Sequence, residues 1–146
     1  MGLPPPSGRT TSHDGRELEL MLAGAKPAAM FCDRAPDGPG IARVAAAFAP
    51  HVAAGRLLEH RFDYRGPDGR VAMHRLVYTL PGEGWRAAAL HALHERLYAR
   101  GGAWSPRCEA EVSLLLGYSP EETERHVRGR LRSAGRPRNR SRRRAL

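Results

Sequence analysis

The chain has 146 residues, enough for one domain whose hydrophobic core needs no metal or disulfide staple. Two cysteines are too few for a disulfide framework or a zinc site, and no run of 18 apolar residues offers a membrane span. The formal charge of +9 is unevenly placed: nine of the 24 basic residues and none of the 15 acids lie in 128–146, so residues 1–127 are formally neutral.

Residues 1–13 are rich in Pro, Gly, Ser and Thr, lack periodicity and an apolar signal-peptide core, and are expected to be disordered. Leu18, Met21 and Leu22 share a helical face and Gly24 supplies a stop, which predicts a short helix over 15–23. The apolar run Ala28-Ala29-Met30-Phe31-Cys32, opened by Pro27 and closed by a turn-rich stretch over 33–40, reads as a buried strand. Residues 42–54 are alanine-rich and helical in pattern, with Pro50 expected to break or restart the helix.

The clearest supersecondary signal is a pair of extended runs, 56–65 and 70–80, around Gly66-Pro67-Asp68-Gly69. Proline presets φ at the first central turn position and Gly69 can take the left-handed one, which fits a three-residue loop with a bulge. With Gly66 and Arg70 as the closing pair, Phe62 is expected opposite His74 and His60 opposite Leu76. One face then carries Leu58, His60, Phe62, Tyr64, Ala72, His74, Leu76 and Tyr78, and this is the expected core face.

Leu90, Leu93 and Leu97 predict a long helix over 84–99, with Trp85 at its edge and Gly101-Gly102 as its stop. A further helix is expected over 106–116, closed by Gly117. Ser119-Pro120-Glu121-Glu122 is a capping box with proline at the first helical position, so a last helix starts there and frays near Gly129. The expected organisation is a single domain over 14–127 followed by a disordered Arg-rich segment over 128–146. Its fold class is α+β: a small, mostly antiparallel sheet with a central hairpin and helices packed on one face.

Few polar groups are placed for chemistry. His60 and His74 are expected as diagonal neighbours on the inward hairpin face, with His94 in phase to approach them and His91 turned towards solvent. His91-Ala92-Leu93-His94-Glu95 is not the His-Glu-x-x-His zinc motif. Cys32, at a strand end next to a loop, is a candidate nucleophile only if a helix N-terminus or an imidazolium activates it. These four residues, His60, His74, His94 and Cys32, are the candidate catalytic or ligand-binding groups. The competing reading makes the histidines hydrogen-bonded core or surface residues and the cysteine a packed thiol. No metal site and no cofactor is expected, and oligomeric state is not legible. Free thiols fit a reducing compartment, so a cytoplasmic protein is expected.

The C-terminal segment carries the strongest physical signal. Arg136, Arg138, Arg140, Arg142, Arg143 and Arg144 form a polycation without aromatics. Such a segment attracts phosphate backbones by counterion release and acidic proteins by the same Coulomb term, with no means of reading bases. The chain has 23 arginines and a single lysine, Lys26, and GC-rich codon usage would favour arginine without selection for its chemistry.

The stretches 18–31, Leu80-Pro81-Gly82-Glu83-Gly84-Trp85 and Leu115-Leu116-Gly117-Tyr118 resemble a group of small uncharacterised bacterial α+β proteins. The likeness covers about residues 17–127 and omits the Arg-rich segment, which implies a body that exists without it. No catalytic motif comes with the resemblance. Two functions follow as expectations: an accessory or interaction protein with a sequence-blind polycationic segment, or a small enzyme or ligand binder using histidines between hairpin and long helix.

Overall fold

The computed structural model describes residues 13, 15–34, 39–99 and 105–134. The elements run α1 (Glu17–Leu22), β1 (Ala28–Arg34), α2 (Pro39–Ala53), β2 (Leu58–Arg65), β3 (Val71–Thr79), α3 (Trp85–Ala99), α4 (Pro106–Leu115) and α5 (Pro120–Ala134). The class is α+β, with one antiparallel three-stranded sheet in the order β1-β3-β2. β3 is central, and from Arg75 to Thr79 every one of its residues is buried.

Burial on both sides follows from where the helices pack. The α+β class holds, but the expected one-sided packing does not. Ala29, Leu76 and Tyr78 on one face meet Met21 of α1 and Ile41 and Phe48 of α2, with Phe48 stacked on Tyr78 at 4.1 Å. Val77, with Met30 and Phe62, faces Ala87 and Leu90 of α3 and Val112 and Leu115 of α4. Alternation puts odd and even positions of β3 on opposite sides, so two apolar sets need two covers. Trp85, expected at a core edge, is 57 % exposed and lies under the Arg86 guanidinium at 4.6 Å. Trp104 is outside the described residues.

The turn forms as its residues require. Gly66 N–H donates to the Arg70 carbonyl at 2.8 Å, Gly69 N–H donates to the Gly66 carbonyl at 3.0 Å, and Gly69 has φ +77°. A second irregularity follows at once. Arg65 pairs with Val71 but Tyr64 pairs with Met73, leaving Ala72 as an extra residue in β3. Every later pairing is shifted by one: Phe62 lies opposite Arg75, Asp63 opposite His74 and His60 opposite Val77. The expected pairs, Phe62 with His74 and His60 with Leu76, are therefore corrected. A one-residue shift moves each later β3 side chain to the other face.

Pro50 does not break α2, which continues through it to Ala53. It forfeits one backbone hydrogen bond near the helix end, where only one more turn would have depended on it. The capping box at α5 is reciprocal, with Glu122 N–H donating to Ser119 Oγ at 3.1 Å and Ser119 N–H donating to Glu122 Oε1 at 3.2 Å. α5 then passes through Gly129 to Ala134. Its extra turn is tied back to α4 by Arg130 to Glu109 at 3.2 Å.

A clasp joins the start of β1 to the α4–α5 turn. Lys26, 1 % exposed, donates from Nζ to the Leu116 carbonyl at 2.6 Å, is hydrogen-bonded to His13 Nδ1 at 2.8 Å and lies 4.6 Å from the Tyr118 ring centre. The next residue, Pro27, presses on Gly117. Gly117 has φ +88° and closes α4 in a Schellman turn, with its own N–H to Leu114 and that of Tyr118 to Ser113. A Cβ at 117 would run into the Pro27 ring.

Candidate functional site

The bulge at Ala72 decides which polar groups meet. His60, Phe62 and Tyr64 of β2 share the α3-facing side with Arg75 of β3 and Cys32 of β1, because Cys32 and Phe62 both pair with Arg75. His74 is sent to the α2-facing side, where its Nδ1 lies 2.7 Å from Asp63 Oδ1. His60 and His74 are thus on opposite faces, and the expected cluster of His60, His74 and His94 does not form.

Each histidine has its own local partner instead. His60 Nε2 is hydrogen-bonded to Thr79 Oγ1 at 3.1 Å, and burial lowers its pKa. His94 Nδ1–H donates to the Leu90 carbonyl one turn back at 2.7 Å. Burial is the main cause of its lowered pKa, reinforced by the nearby charges of Arg75 and His91. His94 also approaches the hairpin, its ring tilted against Tyr64 at 6.5 Å between centres, but the α3 histidine that packs and hydrogen-bonds there is His91, which is expected from the sequence to face solvent. Its ring stacks on Phe62 at 4.3 Å between centres, and its Nδ1 is 3.0 Å from the Tyr64 hydroxyl.

These contacts form a polar chain across the sheet. Arg75, 3 % exposed, donates from Nε to Cys32 Sγ at 3.2 Å and from Nη1 to the Tyr64 hydroxyl at 3.0 Å. That oxygen accepts from Arg75 and shares a second hydrogen bond with His91 Nδ1, whose direction follows the imidazole tautomer. Glu95 lies beyond, 3.9 Å from His91 Nε2. Burial raises the Tyr64 pKa despite the opposing pull of Arg75, so the phenol stays protonated. Cys32 is exposed, not packed in the core.

Arg75 and Tyr64 are the members that sequence reasoning missed. Tyr64 was expected to face inward, but Arg75 falls in the alternation as a solvent residue, and only the bulge turns it in. No turn motif marks that bulge.

Among the described residues, no group of three His, Cys, Asp or Glu side chains is placed to hold a metal ion. A cavity of about 230 Å³ opens between α3 and α4, lined by Leu93, Arg96, Leu97, Ser105, Cys108 and Glu111 among others. It includes neither His60, His74 nor His94, and Tyr78 is wholly buried in the opposite layer. No described helix is long and apolar enough to cross a membrane. Arg136, Arg138, Arg140, Arg142, Arg143 and Arg144 lie outside the described residues. Comparison with family models, curated proteins and solved structures finds no match.

Proposed function

We propose that this chain is a small accessory or interaction protein whose basic C-terminal segment binds nucleic acid, and acidic proteins by the same attraction, without reading sequence. The carrying observation is the charge division: every excess positive charge lies in 128–146, beyond a formally neutral 1–127. The exposed side of α5 extends the same character. Arg128 is paired with Glu124 and Arg130 with Glu109, while Arg125 and Arg132 have no ion pair among the described residues. Two free thiols fit a reducing compartment such as the cytoplasm.

The alternative, a catalytic or metal site built from His60, His74 and His94, loses the geometry it needs. Each ring is committed to a different local partner on two faces of the sheet.

The test is competition between duplexes of equal length and unrelated sequence, read by fluorescence anisotropy with the full chain. Sequence-blind binding predicts affinities within about twofold, and displacement of both duplexes by a sulfated polysaccharide, because phosphate contacts carry no base information. Preference for one sequence by about a thousandfold, the range of a specific reader, would contradict the proposal.

A further inference from the structure

Among the described residues, the buried guanidinium of Arg75 makes no ion pair with an acid. Among the described residues, its polar partners are Cys32 Sγ and the Tyr64 hydroxyl, and its carbon lies 4.8 Å from the Tyr64 ring centre. A buried cation calls for a negative partner, since burial removes the water that would otherwise solvate it. The phenol does not provide one, because burial keeps it protonated. Among the described residues, sulfur is the remaining polar contact, and it belongs to an exposed residue, Cys32, on β1, an edge strand of the sheet.

We propose that Cys32 is a modification site, oxidised by hydroperoxides to a sulfenic acid whose anionic form is held by Arg75. The sulfur lone pair attacks one peroxide oxygen, forming the S–O bond as the O–O bond breaks. The O–O electron pair leaves with the second oxygen, which takes up the thiol proton. That oxygen departs as water from hydrogen peroxide, or as an alcohol from an organic hydroperoxide. The thiol is oxidised by two electrons and the peroxide is reduced by two. Donation from a guanidinium N–H is strongest to an anionic acceptor, so the Nε–H that now meets sulfur is placed to hold the sulfenate. Cys108, half-buried in α4, has Arg107 beside it in sequence but no described guanidinium hydrogen bond to its sulfur. It is the internal comparison. This inference does not depend on the basic C-terminal segment.

The experiment treats the full chain with hydrogen peroxide near neutral pH in the presence of a dimedone-type carbon nucleophile, which traps sulfenic acid. Adducts at Cys32 and Cys108 are followed by peptide mass spectrometry, in the folded chain and in the same chain unfolded by urea. Mere exposure cannot make a thiol react faster folded than unfolded. A unit charge 3.2 Å from the sulfur, under water-like screening, changes the rate about tenfold. Cys32 is therefore expected to label about tenfold faster in the folded chain than in urea, while Cys108 labels no faster folded than unfolded. Arg75→Lys, which lacks the Nε–H donor, should bring Cys32 down to the urea rate. Should that variant fail to fold by circular dichroism, the folded-to-unfolded ratio of the wild-type chain decides alone. A folded Cys32 rate at or below its urea rate, or a folded Arg75→Lys chain that keeps the enhancement, would overturn the proposal.

Discussion

Replacing Gly117 by alanine tests the clasp between β1 and the α4–α5 turn. Two costs fall on the same Cβ. The first is conformational: φ is +88° at this position, and an L-residue held in the left-handed region loses about 1–2 kcal/mol. The second is steric, because the new methyl meets Pro27 Cδ and Cγ. Pro27 has little room to give, since its ring is rigid and its carbonyl accepts from Leu80 N–H at 3.0 Å at the sheet edge. Overpacking of this kind costs about 1–3 kcal/mol. Together they give about 2–5 kcal/mol, or roughly 8–20 °C in Tm for a domain of this size. Gly82→Ala is the matched control, because Gly82 has φ +86° and open space around its Cα. It should lose only the conformational part, about 4–8 °C. Thermal unfolding followed by circular dichroism reads both. Equal losses for the two variants would show that Pro27 does not press on Gly117, and the clasp would have to be abandoned.

Lys26→Met keeps the volume of the buried side chain but removes the donor to the Leu116 carbonyl, and should destabilise the chain by about 1–3 kcal/mol in urea titration; an unchanged midpoint would mean that the ammonium adds nothing to the clasp. His60 and His94 both have pKa values lowered by burial, so on acidification the unfolded chain takes up protons at these positions before the folded one. The stability they contribute is complete above the ordinary value of 6.5, is lost as pH falls through the folded values, and stops falling below them. A His60→Gln, His94→Gln chain should therefore lose less Tm than wild type between about pH 7.5 and about pH 5.5, and an equal or larger loss would contradict burial as the cause. Ser119→Ala removes one half of the α5 capping box and should cost about 1 kcal/mol by the same titration.

The elements were legible where a local rule governs them. Helix stops at Gly24 and Gly117, the capping box at Ser119 and the turn at 66–69 each depend on a few adjacent residues, and each formed. Ala72 is different. A bulge in mid-strand is chosen by how the whole strand packs, and Val-Ala-Met-His-Arg reads equally well with or without it. That single insertion carried His74 to one face and Arg75 to the other, which dissolved the expected histidine cluster and built the chain from Cys32 to His91. Two-sided burial was hidden for a related reason. β3 has Leu76 and Tyr78 on one side and Val77 on the other, a near-continuous apolar run from which alternation cannot choose a single core face. The leucine stripe of α3 alone places His91 towards solvent, whereas its ring is drawn in by stacking on Phe62.

The proposed role of the basic segment is tested most directly by the salt dependence of duplex DNA binding, measured for the full chain and for a chain ending at Ala134. Removing 135–146 deletes six arginines and leaves α5 with its Arg130–Glu109 pair intact. The full chain is expected to show a steep log–log slope, about −0.9 for each phosphate contact and so roughly −5 if all six arginines engage. The shorter chain should keep its Tm but lose most of that slope and of the affinity. Binding that survives the truncation, or that is insensitive to salt in the full chain, would contradict that role.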